Sequence, residues 1–293
     1  MSETQKTRTK NKKSPIIILL TSKFFWLVIV FLLIVLIIAK TAYDLVEEAR
    51  SIYEGLPEEA GYENSDIDIN LLSRDEYNFL SYSDDKYETR RGIDVSEHQA
   101  GIDWEKVSES GVEFAIIRLG YTGNDTGTKY LDVEFEENVK GAARNGIDVG
   151  VYYFSQAITV EEAIEEAKFV CEHLRGKDIK MPVAFDMEPL TGTESDRISG
   201  LSMREITEIA DAFCTVVEKH GYDTLIYGNP TWIYSHFNLS LLTHRKIWLA
   251  HYTHATNFPY KYVIWQYSDS GTIEGISTGV DLNIQFIEKK QNP

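Results

Sequence analysis

The sequence predicts an α/β fold in which eight strands close into a barrel. Three observations carry it. From Arg91 onward, short β-rich runs alternate with helical patterns. The hydrophobic content of 43% and aromatic content of 12% suit one well-packed core. One short run, Met181-Pro182-Val183-Ala184-Phe185-Asp186-Met187-Glu188-Pro189, is small and apolar until it ends in two carboxylates two positions apart. Strand residues at i and i+2 share a face, so Asp186 and Glu188 can act on one substrate. Taken alone, the pair fits a solvated strand end equally well.

Before the barrel the chain changes character three times. Residues 1–15 are a basic, polar tail without an apolar stripe, expected to be disordered and cytoplasmic. Residues 16–42 hold an uninterrupted apolar run from Phe24 to Ala39, which reads as a transmembrane signal anchor once a turn is added at each end. The run is longer than the apolar core of a cleaved signal peptide, and Lys40 spoils the small-residue site near Ala42. Basic residues before the run and acidic ones after it predict a single-pass protein of a bacterial cell membrane, with its C-terminal domain outside. Residues 43–89 read as an acidic stalk or linker; 41–89 carry fourteen acids against three basic residues. Some contact of this segment with the following domain is expected through Leu71, Leu72, Phe79 and Leu80.

Residues 90–293 form the barrel domain. Its strand candidates are 92–96, 114–120, 149–155, 182–188, 224–228, 247–252, 262–267 and 280–284. Helices are expected mainly between the first five strands, over Leu131–Arg144, Val160–Leu174 and Met203–Lys219. Thr159/Glu162 and Ser202/Glu205 supply capping boxes, and Gly146, Gly176 and Gly221 supply stops. The later spacers are short, aromatic and polar, so full helices are not expected there. The fold class is therefore a modified TIM-like barrel with eight strands, preceded by one N-terminal transmembrane helix.

The net charge of −17 argues against nucleic-acid binding, which needs phosphates neutralised by Lys and Arg. Cys171 and Cys214 lie in helical patterns and read as two buried thiols rather than a disulfide or zinc framework. His251 and His254, three apart at a strand end, point to different sides and lack a third ligand, so no metal or other cofactor is expected. No phosphate-cradling glycine loop and no serine or cysteine nucleophile motif occurs.

Barrel enzymes place their chemistry at the C-terminal ends of strands. Read in order, these ends give Asp94, then Arg118, Tyr152, the Asp186/Glu188 pair, Tyr227, and His251 with Tyr252. Trp265, Gln266 and Tyr267 follow on the seventh strand, and Asp281 and Asn283 on the eighth. Four acids at one mouth raise one another's pKa, which is how a carboxyl stays protonated near neutrality to act as a general acid. Glycosidic cleavage uses such a pair, and aromatic rings suit the apolar faces of sugars. Tyr152, Tyr227, Trp265, Gln266, Tyr121 and Trp232 are the expected substrate-binding residues, although Trp232 and Trp265 fit core packing as well. Arg118 reads as a charge partner inside the mouth, and Trp248 as packing.

At these residues the chain resembles a known family. Arg91-Gly92-Ile93-Asp94-Val95-Ser96, followed by Gln99 and Ile102-Asp103-Trp104, resembles the opening signature of glycoside hydrolase family 25, the lysozymes of the N-acetylmuramidase type. Val149-Gly150-Val151-Tyr152-Tyr153-Phe154 resembles the family's third strand, and Ala184-Phe185-Asp186-Met187-Glu188 its Asp-x-Glu strand. Trp265-Gln266-Tyr267 and Val280-Asp281-Leu282-Asn283 resemble its last two strands. The resemblance covers about residues 90–288. It implies hydrolysis of the bond between N-acetylmuramic acid and N-acetylglucosamine in peptidoglycan, with glycan strands as the partner; the catalytic domain is expected to be monomeric, while the sequence leaves the oligomeric state of the chain open. By motif position Glu188 would be the general acid. Asp186 would stabilise the oxocarbenium or hold the acetamido group, and Asp94 and Asp281 would tune both. Tyr152 and Tyr227 would contribute hydrogen bonds. Two other readings stay open, a non-catalytic wall-binding barrel and a glycosidase of another N-acetylated polymer. The family's Gln-Gly-x-Ile-Asp-Trp is here Gln99-Ala100-Gly101-Ile102-Asp103-Trp104, so the loop after the first strand is expected to differ in shape.

Overall fold

A computed structural model describes residues 26–40, 61–190 and 196–290. Residues 26–40 form a helix whose large apolar side chains, among them Trp26, Phe31 and Leu36, are exposed. Among the described residues, no helix is long and apolar enough to cross a membrane. The basic tail, both ends of the expected anchor and residues 43–60 of the expected stalk lie outside the described residues.

The eight barrel strands are β1 (Tyr87–Val95), β2 (Phe114–Thr122), β3 (Asp148–Phe154), β4 (Val183–Asp186), β5 (Thr224–Gly228), β6 (Ile247–Ala250), β7 (Ile264–Gly271) and β8 (Val280–Glu288). Neighbours from β1 through β7 pair in parallel. β8 pairs antiparallel with both β7 and β1, and β1 with β2 closes the ring. A short strand, Lys129–Leu131, adds antiparallel to the end of β2.

The three expected helices are present, although the first begins at Phe135 and Leu131 belongs to the short added strand. These are α2 (Phe135–Arg144), α3 (Val160–Leu174) and α4 (Met203–Lys219), with Thr159 and Ser202 as side-chain caps. Two short helices add to them. α1 (Trp104–Glu109) is capped by Asp103 and follows Gly101, whose φ of +75° suits glycine. Trp104 packs so closely on Gly141 of α2 that a Cβ there would lie 2.1 Å from its ring. α5 (Pro230–His236) follows β5. No helix lies between β6 and β7 or between β7 and β8. Cys171 and Cys214 are free, buried thiols on α3 and α4.

Inward-facing residues of the parallel strands form one apolar plug. It contains Phe114, Ile116, Ala184, Leu225, Trp248 and Ile264. Gly92 makes room for it, because a Cβ at that position would fall 2.1 Å from the Phe114 ring. On the other face of β4, Phe185 meets Phe213 of α4 at 5.1 Å between ring centres, and Phe185 and Met187 are fully buried. This is the packing face expected of the strand that carries Asp186.

The helix-free side needs another cover, and residues 61–89 supply it. Phe79, Leu80, Tyr82 and Tyr87 are buried. Tyr82 meets the outward Phe286 of β8 edge-on at 5.6 Å. Phe79 lies under the Arg91 guanidinium of β1. The Leu80 backbone N–H donates to the Tyr267 hydroxyl of β7, and Arg74 sits over that ring. Leu71, by contrast, is 48% exposed. The described part of the expected stalk is therefore a strap on the barrel, and β1 begins upstream of residue 90. Removing the Phe79 ring should cost about 3–5 kcal/mol, the usual range for a buried Phe→Ala. Guanidinium denaturation of Phe79→Ala checks this, and a loss under about 1 kcal/mol would show that the segment is only draped over the barrel.

Candidate active site

The reversed direction of β8 decides what stands at the mouth. Seven strands deliver their C-terminal ends there, but Asp281 is the second residue of β8 and comes from its N-terminal end. It reaches the mouth because the antiparallel ladder sets Asp281 opposite Asp94 and Asn283 opposite Gly92. Counting C-terminal ends on eight parallel strands would have sent Asp281 to the far side. The residues expected together are thus together, for a different reason.

Asp94, only 6% exposed, is held by a directed hydrogen-bond chain. The Trp248 indole N–H donates to Asn283 Oδ1 at 2.8 Å, and Asn283 Nδ2 then donates to Asp94 Oδ2 at 2.7 Å. An indole nitrogen can only donate, so Asn283 must show it the carbonyl and turn its amide to Asp94. On the other side the Tyr227 and Tyr252 hydroxyls both donate to Gln266 Oε1 at 2.9 Å, and Gln266 Nε2 donates to Asp94 Oδ2 at 2.7 Å. Both amides are oriented by donors behind them, and one Asp94 oxygen takes both bonds.

The other acids lie within reach of its charge. Burial pushes Asp94 up to about 6, against the pull of its two amide donors; the Glu188 charge adds to the rise. Burial raises Glu188 to about 7. Asp281 rises to about 8 through burial, then the charges of Asp94 and Asp269. Asp186 is raised well above its ordinary value by burial and by Glu188 and Asp94, with Arg118 pulling the other way. Its Oδ1 is buried with no hydrogen-bond partner among the described residues. Arg118 is indeed a charge partner, bound through Nε to Asp132 at 2.7 Å and beside Glu97 at 2.9 Å. Four carboxyls so placed cannot all be ionised near neutrality.

The aromatic expectations divide. Tyr152 is half-buried among Asp94, Asp186 and Asp281, whose charges all reach it. Tyr227 is in the mouth, but its hydroxyl is committed to Gln266. Gln266 itself is 3% exposed and holds Asp94, so it positions an acid rather than meeting substrate. Tyr121, half-buried at the end of β2, stacks on the exposed Tyr130 at 5.3 Å. Trp265 does not reach the mouth. Ile264 faces inward, so the next residue faces outward, where Trp265 is fully buried and donates to the His251 carbonyl. Trp232, 7% exposed on α5, is stacked on His236. Both tryptophans pack. Three contributors escaped a functional assignment: Asn283, Tyr252 and Trp248. Asn283 and Tyr252 were legible as strand-end residues. For Trp248 the signal was its inward position two residues below Ala250.

The raised carboxyls imply a pH-dependent stability. Glu188 ordinarily titrates near 4.5 and here near 7. Between those values the folded state binds the proton more tightly than the unfolded chain. Its contribution is full below about 4.5 and is lost as pH rises through about 7. Glu188→Gln removes this loss. Calorimetry should find its Tm near wild type at pH 4.5 and above wild type at pH 8.5. A variant that melts below wild type at pH 8.5 would refute the assignment of burial.

Residues 93–276 match the model of glycosyl hydrolases family 25, a span that takes in Asp94, Asp186 and Glu188 and stops short of Asp281. An autolytic lysozyme of Clostridium acetobutylicum is 29% identical over 194 residues, which is 66% of this chain and 55% of that protein. Lysozyme M1 of Streptomyces globisporus is 29% identical over 205 residues, 66% of each chain. The chain thus spans only about half to two thirds of these relatives. Among solved structures, the modular autolysin LytC of Streptococcus pneumoniae, determined with a synthetic peptidoglycan ligand, superposes with a TM-score of 0.59 at 26% identity. That match covers 68% of this chain and 47% of LytC. Since the matched span runs from the strand of the first acid past the seventh strand and takes in more than half the sequence, the chain belongs to glycosyl hydrolase family 25.

Proposed function

We propose that the protein is a muramidase that hydrolyses the bond between N-acetylmuramic acid and N-acetylglucosamine in peptidoglycan. The observation that carries this reading is Glu188, a half-buried carboxyl raised to about 7 beside the buried Asp186. A general acid must hold its proton at working pH and give it up in the transition state, and a pKa near neutrality serves both. Glu188 protonates the glycosidic oxygen as the bond breaks. Asp186 offers Oδ1, which no described protein group occupies, to the developing oxocarbenium or to the substrate's acetamido N–H. The rise at Glu188 comes from its burial, so the low-polarity wall around it disfavours early proton loss. Tyr152 and the Tyr121–Tyr130 stack line the approach for sugar rings. The names of the autolytic and M1 lysozymes support the same substrate class.

Purified peptidoglycan digested by the full chain should show new reducing ends at N-acetylmuramic acid by mass spectrometry. Reducing N-acetylglucosamine ends would instead overturn the muramidase reading, and binding without cleavage would favour a wall-binding barrel. Glu188→Gln should lower turnover by at least ~100-fold, the usual contribution of general acid catalysis.

The exposed apolar helix over 26–40, with the basic residues before it in sequence, supports a further part of the reading. Residues 16–42 anchor the protein in the cell membrane, with the barrel outside. Carbonate-washed membranes should retain the full chain, and recovery in the soluble fraction would rule the anchor out.

A further inference from the structure

Glu166 is a buried carboxyl that the chemistry above leaves unused. It lies on α3, 2% exposed, and no Lys or Arg pairs with it among the described residues. Burying an acid without a counter-ion is unfavourable unless hydrogen bonds compensate. Here they do. The Thr122 hydroxyl at the end of β2 donates to Oε1 at 2.6 Å, and the Ser155 hydroxyl just beyond β3 donates to Oε2 at 2.6 Å. The Gln156 backbone N–H turns to the same carboxylate. Tyr153 closes the cluster through Thr122 at 2.8 Å.

The segment that Glu166 grips is the one that grips the acid pair. The Ser155 backbone N–H donates to the Asp186 carbonyl at 2.7 Å. The Gln156 side-chain amide donates to the Glu188 carbonyl at 3.1 Å, and Gln156 is fully buried. β4 itself ends at Asp186, so Glu188 stands beyond the regular ladder and relies on such contacts for its position. We propose that Glu166 is a positioning residue, a carboxylate that fixes Ser155 and Gln156 so that they set the backbone of Asp186 and Glu188. It touches no substrate. Its burial raises it to about 7, opposed by the Ser155 and Thr122 donors, which agrees with a carboxyl kept for its acceptors in an apolar wall. The inference rests on the muramidase reading only in treating Asp186 and Glu188 as the working pair.

Glu166→Gln keeps shape but replaces one acceptor oxygen by a donor, so at least one of the three donors loses its partner. In the full chain it should lower kcat on peptidoglycan about tenfold with KM changed less than about threefold, because a small displacement of a catalytic group acts on the transition state. Water reaching a loosened Glu188 should also move its titration midpoint down by ~0.5 unit or more. Carbon-13 NMR of labelled glutamate carboxyls reads that midpoint whether or not the protein turns over substrate. Val217→Ala on α4 serves as a control that lowers Tm while leaving both readouts alone. The proposal is overturned if Glu166→Gln leaves kcat and the midpoint at wild-type values, or if Val217→Ala reproduces both changes. Should Glu166→Gln fail to fold, Ser155→Ala cuts one link of the same chain and must shift both readouts in the same direction. A wild-type protein inactive on peptidoglycan would strike the muramidase reading alone, and the midpoint would still decide the role of Glu166.

Discussion

Because β8 runs against its neighbours, the residue across the ladder from Asp94 is Asp281, and two carboxyls are pinned side by side at the barrel mouth. Directly opposed residues in an antiparallel pair sit roughly 4.5–5.5 Å apart at Cα. That spacing would be unfavourable for two ionised acids in a buried site. The strand reversal thus builds in a conflict, and much of the mouth is arranged to contain it. Asp94 receives two amide donors on one oxygen, and Asp281 responds by holding its proton into the alkaline range. The same ladder carries Asn283 beneath Asp281, so the reversal also delivers one of those donors.

The barrel can hold this unfavourable charge because the plug beneath the mouth is closely packed. Phe114 fills the space that Gly92 leaves, and Trp248 serves both as plug and as the donor that orients Asn283. A buried polar network specifies one arrangement only when each member is satisfied. Here the donor-only indole and the two tyrosine hydroxyls leave each amide one orientation that satisfies it. Precision at Asp94 therefore comes from Trp248 and Tyr227 inside the barrel, joined by Tyr252 from the segment just past β6.

Most of this was legible in the sequence where periodicity is strong. All eight strands, the three long helices and the Thr159 and Ser202 caps of two of them follow from alternation and capping signals. The direction of β8 was not, because a seventh strand ending at Tyr267 leaves a spacer long enough for either a crossover or a hairpin. β7 in fact runs to Gly271, and only a hairpin fits the remaining residues. Trp265 was misplaced among the sugar contacts although its own alternation with Ile264 and Gln266 turns it outward. α1 is too short to show a helical period. The strap over 61–89 shows none either, since its cover consists of separate aromatic and aliphatic contacts at Phe79, Leu80 and Tyr82 rather than one helix face. The four acids were found because carboxylates at strand ends are rare enough to stand out. Their supports were misassigned: Gln266 was read as a substrate contact, Asn283 only as a strand-end residue and Trp248 as packing, because a sequence does not show which partner a side-chain amide or indole meets.

Two separate polar networks hold the two walls of the mouth, and they differ in kind. Asp94 is fixed from inside the barrel by side chains that converge on its carboxylate. Asp186 and Glu188 are fixed from behind, through their backbone carbonyls, by the segment after β3. The difference follows from what each acid does in the proposed chemistry. A tuning acid can give an oxygen to two donors and still exert its field. A general acid and its neighbour must keep their oxygens open to substrate, so the protein grips their main chain instead. Asp186 Oδ1 shows the consequence, a buried oxygen that no described protein donor fills. An acceptor left empty in an apolar wall is unfavourable until a ligand occupies it, and that deficit is what a bound sugar would relieve.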